Sequence, residues 1–109
     1  MSYDKLEGEI QLEILKYLKL RNIPANRNNA GKVKKGSYWI NLGKSGWPDI
    51  LCCFHGLFLG IEVKKPGEDL SDKQKEVKAE IEQANGIVIV ITSVEELAEE
   101  LLTLQSKER

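Results

Sequence analysis

Apolar residues recur every three to four positions across residues 4–21. Leu6, Ile10, Ile14, Leu15 and Leu18 fall on one side, which predicts an amphipathic helix. Asn22 and Pro24 mark its end. The helical pattern then stops. Residues 22–46, NIPANRNNAGKVKKGSYWINLGKSG, are rich in Asn, Gly and Lys and hold one strand-like stretch, SYWINL. A pair of short strands around a mobile loop is expected there. So long an irregular segment in a small domain is a common place for function. DILCCF and LFLGIEVKK follow, separated by His55-Gly56, a two-residue turn suited to a hairpin. A helix is predicted over 72–85, opened by the Ser71/Gln74 capping box and stopped by Asn85-Gly86. GIVIVIT is a near-continuous β-branched run, as in a strand buried on both faces. Ser93 caps a last helix, 94–105, carrying Val94, Leu97, Leu101, Leu102 and Leu104. The predicted class is α/β, with the order roughly α-β-β-β-α-β-α.

Composition adds bounds. A length of 109 residues suggests one domain, 1–109. The 41% hydrophobic and 30% charged fractions suit a globular chain, so a core can be sought in the strands and helices above. No run approaches the roughly 18–20 apolar residues of a membrane span, so no membrane partner is expected. MSYDKLEGEI lacks the basic and apolar regions of a signal peptide, and an intracellular, cytoplasmic location is expected. Cys52 and Cys53 are adjacent and point to opposite faces of a strand, so they cannot easily bridge each other. With no CxxC spacing and no His/Cys cluster, a packing role is expected for both.

The net charge of −1 argues for no particular partner, but its distribution does. From Lys16 to Trp47 there are eight basic residues, Lys32, Lys34, Lys35 and Lys44 among them, and no Asp or Glu. Such a segment is either a phosphate-binding surface or a solvated loop.

The chemistry lies in the predicted hairpin. Alternation puts Leu57, Leu59, Ile61 and Val63 on one face and Phe58, Gly60, Glu62 and Lys64 on the other. Folding about His55-Gly56 sets Asp49 opposite Glu62, within one residue. Two carboxylates and a lysine therefore converge. Like charges that close need compensation. A divalent cation supplies it, and carboxylates with backbone carbonyls and water are the ligands of Mg²⁺ or Mn²⁺. Lys64 could orient a water or stabilise charge developing on phosphorus. Lys65 suits a phosphate contact, and His55 in the turn is a structural residue. Trp47 and Tyr38 could stack on bases, although core packing is the commoner role of such residues.

These residues, WPDI…GIEVKK, match the P-D…(D/E)-x-K signature of a large nuclease superfamily. LEGEIQLEILKYLKLRNI, NRNNAGKV, GWPDIL, GLFLGIEVKKPGEDLSDKQKEV and GIVIVITSVEEL extend the match in order over roughly residues 6–102. The chain thus resembles the VRR-NUC family, the virus-type replication-repair nucleases of phages and bacteria. The resemblance implies a restriction-endonuclease-like mixed β-sheet flanked by helices and metal-dependent phosphodiester hydrolysis, with no organic cofactor. For stand-alone members it implies a homodimer acting on branched DNA such as Holliday junctions; flaps or plain duplex are alternatives, as is a non-catalytic DNA-binding module. Asp49 and Glu62 match the metal carboxylates, the Val63 carbonyl goes with them, and Lys64 matches the catalytic lysine. The helix-1 glutamate is Glu7 or Glu9. Glu7 shares a stripe with Ile10, Gln11, Ile14 and Leu18 and can face the sheet, whereas Glu9 falls with Glu13 and Lys16. Gln74 matches a glutamine on the second helix, and it can serve the capping box as well. Arg27, Asn28 and Asn29 match a segment that contacts phosphate, and their residue types also suit a turn.

Overall fold

A computed structural model describes residues 5–28 and 31–107 of the chain. The elements are α1 (Glu7–Leu20), β1 (Ala25–Arg27), β2 (Gly31–Lys35), β3 (Tyr38–Leu42), β4 (Ile50–Phe54), β5 (Leu57–Val63), α2 (Asp72–Gln83), β6 (Ile87–Ile91) and α3 (Val94–Lys107). The protein is α/β, with a mixed sheet flanked by helices. Five strands rather than three lie between α1 and α2. The addition comes from residues 22–46, which supply β1 to the main sheet and fold the rest into a hairpin of their own. The main sheet has the order β1-β4-β5-β6, and β2 and β3 form a separate two-stranded ribbon. β4 runs antiparallel to β1 and to β5. β6 runs parallel to β5, which requires the crossover that α2 provides.

Helix ends follow the sequence closely. Asn22 adopts φ 58 after α1, and the Ile23 and Asn22 N–H groups donate to the Leu18 and Lys19 carbonyls at 2.9 and 3.1 Å. Asn85 does the same after α2, with φ 70 and with Gly86 and Asn85 donating to Ile81 and Glu82. Both are Schellman closures with asparagine in the left-handed position. At the start of α2, Ser71 Oγ accepts from Gln74 N–H while Gln74 Oε1 accepts from Ser71 N–H. Ser93 caps α3, its Oγ accepting from Glu96 N–H at 3.2 Å.

The larger core lies on one face of the sheet. Ile10, Ile14 and Leu18 of α1 and Leu97 and Leu101 of α3 pack on Ile50, Cys52, Phe54, Leu59, Ile61, Val63, Ile89 and Ile91. On the other face α2 covers a smaller patch: Val77 and Ile81 close over Val88, with Trp47 beside them. That helix leaves part of the face open. Val90 of β6 is 41% exposed there, and the strand order makes β6 an edge strand, so it is not covered throughout. Cys52 packs in the core, and burial pushes its thiol up to about 12. Cys53, on the opposite face, is exposed and takes no part in packing the core. No helix among the described residues is long and apolar enough to cross a membrane.

Candidate active site

The β4–β5 hairpin sets the geometry. His55 and Gly56 take φ 51 and 80, both left-handed, as a tight two-residue hairpin turn requires. That turn pairs Ile50 with Ile61 and Leu51 with Gly60. Carried one residue beyond the start of β4, the register brings Asp49 to Glu62. Pro48 is buried, and it lies over Gly60, where an added Cβ would stand 3.0 Å from Pro48 Cβ and closer still to Cγ. Glycine at position 60 thus lets the proline settle onto β5 and fixes the residue that follows it. Gly46, at φ 80, permits a similar approach of the preceding loop to α2, with the Lys73 carbonyl 3.2 Å from where a Cβ would be.

Asp49 is held at both ends. Its carbonyl accepts from Asn28 N–H at 2.7 Å, and its Oδ2 accepts from Val63 N–H at 2.8 Å. Since the N–H and C=O of a strand residue point to the same side, the Val63 carbonyl faces that edge too. Glu62 is 1% exposed, the one charged side chain among the buried residues described. Its Oε1 has no hydrogen-bond partner in the fold. Burial and the neighbouring Asp49 charge push its carboxyl up to about 7, against a partial offset from Lys64. Asp49 is also raised, by burial, with Val63 N–H, Lys64, Glu62 and Arg27 opposing.

Lys64 follows directly after β5, its N–H donating to the Ile91 carbonyl at 3.0 Å. With Lys5, Glu13, Lys65, Ser93 and Glu95 it lines a cleft of about 610 Å³, to which Asp49, Glu62 and Glu7 contribute no wall. Its charge is felt by Asp49, Glu62 and Glu7.

Glu7 opens α1 on the stripe of Ile10 and Ile14, and is half-buried. Burial and a hydrogen bond that its carboxyl donates to the Glu68 carboxylate raise its pKa, with Asp49 adding and Lys64 subtracting. Glu9 is exposed. Glu68 is a residue the sequence reading missed. The Pro66-Gly67 turn, with Gly67 at φ 83 and Glu68 N–H donating to the Lys65 carbonyl, folds the chain back after Lys65. Glu68 Oε1 in turn accepts from Lys65 N–H at 3.1 Å, which lowers its pKa. The Pro-Gly pair is a turn signal and could have shown that Glu68 returns toward the site.

Asp49, Glu62 with its unpartnered Oε1, and a backbone carbonyl are hard oxygen donors suited to Mg²⁺ or Mn²⁺. The third carboxylate stands apart: among the described residues no three His, Cys, Asp or Glu side chains converge as a ligand group, and Glu7 is bonded to Glu68 instead.

Arg27 lies along α1, its Nε donating to Gln11 Oε1 at 2.8 Å and its guanidinium passing over Gly8. Asn28 has a different occupation. Its Oδ1 accepts from Lys44 N–H and its Nδ2 donates to the Lys44 carbonyl, each at 2.9 Å. Lys34, Lys35, Lys44 and Lys65 are exposed; Asn29 and the Lys32 side chain lie outside the described residues. Gln74 is engaged in its capping box. Trp47 packs edge-on against Phe58 with ring centroids 6.1 Å apart, while Tyr38 is 63% exposed. His55, in the turn, contacts Phe54 at 4.4 Å between rings.

Compared with known proteins, the chain matches no family model and no curated protein.

Proposed function

We propose that this protein is a divalent-metal-dependent DNA endonuclease of the VRR-NUC type, cutting branched DNA such as a Holliday junction as a homodimer. The observation that carries the reading is Glu62. A buried carboxylate with an unpartnered oxygen, set against Asp49, is costly for a fold to keep unless a cation completes it. Asp49, Glu62 and the Val63 carbonyl would hold Mg²⁺ or Mn²⁺, and Glu7 would join them on leaving Glu68. When bound, the cation supplies positive charge at the scissile phosphate and makes nearby water more acidic.

The remaining work falls to the chain's own groups. Lys64 orients the attacking water and stabilises charge as phosphorus is attacked in line. Arg27, steadied by Gln11, and Lys65 hold flanking phosphates. Gln74 rigidifies the start of α2 near the strand ends. Two copies related by a twofold axis would present two such sites to opposite strands of a four-way junction. A second reading, a DNA-binding module without catalysis, is favoured by one observation: Glu7 is bonded to Glu68, and among the described residues no three-residue ligand group stands ready.

The test uses a labelled four-way junction, a flap and a linear duplex, each with Mn²⁺, Mg²⁺ or EDTA. Cation-dependent cleavage of the junction, lost in Asp49→Asn, is the expected result. Removing a group that acts on the reacting centre removes several kcal/mol, so the loss should be on the order of 10²- to 10³-fold or more. Cleavage that persists in EDTA or in Asp49→Asn would sink the proposal. Binding without cleavage in every arm would favour the second reading.

A further inference from the structure

The β2–β3 ribbon is built the wrong way round for a structural element. Its register pairs Lys34 with Trp39 and Lys35 with Tyr38, and Gly36 at φ 60 turns the chain between the strands. Lys34 and Trp39 share one face, while Lys35, Tyr38 and Ile40 share the other. All five side chains are exposed, with Trp39 62% and Tyr38 63% accessible. Among the described residues, no ribbon side chain belongs to either hydrophobic cluster of the main sheet. A lone two-stranded hairpin is at best marginally stable in water, and this one leaves its large aromatic rings outside both hydrophobic clusters.

We infer that this ribbon is an arm that grips a duplex segment of nucleic acid next to the carboxylate pair. Three observations select that occupant. The stretch from Lys16 to Trp47 has no acidic residue to repel phosphate. Lys34 Nζ lies over the Trp39 ring, 6.0 Å from its centroid, so a cation and an aromatic face are offered together. A two-stranded ribbon also has the width that a major groove admits. A second copy is a poorer occupant, because two such ribbons would bring lysine against lysine with no carboxylate between them.

The root of the arm ties it to the site. Asn28 holds the Lys44 backbone through two hydrogen bonds, so the chain entering the ribbon and the chain leaving it lie side by side. The same residue donates its N–H to the Asp49 carbonyl. A duplex held by the arm is therefore registered against Asp49 and Glu62 rather than carried on a free hinge. Asn28 acts here as a positioning residue.

The inference rests on the nuclease reading only for which phosphate is cut, and binding tests it apart from cleavage. Fluorescence anisotropy of labelled duplex and of labelled single strand is measured in EDTA across a salt titration. Lys34→Ala/Lys35→Ala should weaken duplex binding at least about tenfold and reduce the salt slope by about two. Trp39→Ala should weaken it by about tenfold, with unchanged melting temperatures showing that both variants fold. Duplex binding as tight as wild type in these variants would overturn the inference. So would wild-type protein that binds single strand but not duplex, or ribbon variants that change only self-association. If the ribbon binds duplex but no cation elicits cleavage, the nuclease reading falls and the arm stands. If wild type cleaves while ribbon variants bind undiminished, the reverse holds.

Discussion

The two hairpins of this chain invert one another. The β4–β5 hairpin lies inside the fold, covered on one face by α1 and α3 and in part by α2 on the other, and it ends in buried charge. The β2–β3 ribbon lies outside, and it displays Tyr38 and Trp39 to solvent. Each breaks the rule that apolar groups are buried and charged ones exposed, in opposite directions. Local breaches of that kind are expected where a fold has been shaped by a site. They also differ in cost. A buried carboxylate with an unpartnered oxygen opposes folding by several kcal/mol, whereas an exposed aromatic ring forgoes stabilisation without adding strain. The first is tolerable only in a strand fixed on every side. The second needs only a turn and a clamp.

The sharpest way to break the comparison is to remove the buried charge. Glu62 has a higher pKa in the fold, about 7, than the ordinary 4.5. Its protonated form suits the fold, so its contribution is fully present below pH 4.5 and is lost as pH rises through about 7. A shift of that size corresponds to about 3 kcal/mol. Glu62→Gln should therefore melt close to wild type at pH 4, and on the order of 10 °C above it at pH 8. Addition of Mn²⁺ at pH 8 should raise the wild-type melting temperature and leave that of the variant unchanged. Calorimetry across pH checks both. A variant no more stable than wild type at pH 8 would mean that Glu62 is satisfied by something other than a cation.

A smaller effect tests how the pair is held. Gly60→Ala sets a methyl group against Pro48, which cannot yield without moving Asp49. Overpacking of this sort costs about 1–3 kcal/mol. Urea unfolding should show that loss, and isothermal titration with Mn²⁺ should show weaker binding, although no ligand atom has been changed. Alanine at Gly56, where φ is 80 but no atom stands near, would cost backbone strain and leave Mn²⁺ binding as it was.

The register of the buried hairpin was legible in the sequence; of the exposed one, the pair of strands was, but not its separation from the main sheet. His55-Gly56 dictates a tight turn, the turn dictates the register, and the register brings Asp49 to Glu62. The stripe of Ile10, Ile14 and Leu18 placed Glu7 toward the sheet in the same way. Strand alternation says nothing, however, about which strand lies at an edge. β6 is open both in the hydrogen-bonding direction and at Val90 on the partly covered face, which a run of valine and isoleucine does not reveal. SYWINL is expected in a pair of short strands, and β2 and β3 are such a pair, but pattern does not say that the pair stays apart from the main sheet. Asn28 and Glu68 act through contacts that tie loops together, and such contacts carry no periodicity.

The smallest predicted effect is the most discriminating for the ribbon. If β2–β3 contributed to the core, Trp39→Ala would remove a buried indole and cost about 3–5 kcal/mol. With Trp39 62% exposed and outside both hydrophobic clusters, its loss should change unfolding free energy by no more than about 0.5 kcal/mol. The contrasting ring is Trp47, which packs on Phe58 and closes the cluster of Val77, Ile81 and Val88. Trp47→Ala should destabilise clearly, by about 2 kcal/mol or more. Urea melts of the two variants, read by circular dichroism so that loss of the fluorophore does not matter, set one tryptophan against the other. Equal destabilisation would place the ribbon within the cooperative fold. It would then be a structural flap, and its exposed lysines and rings would have no need of a nucleic-acid partner.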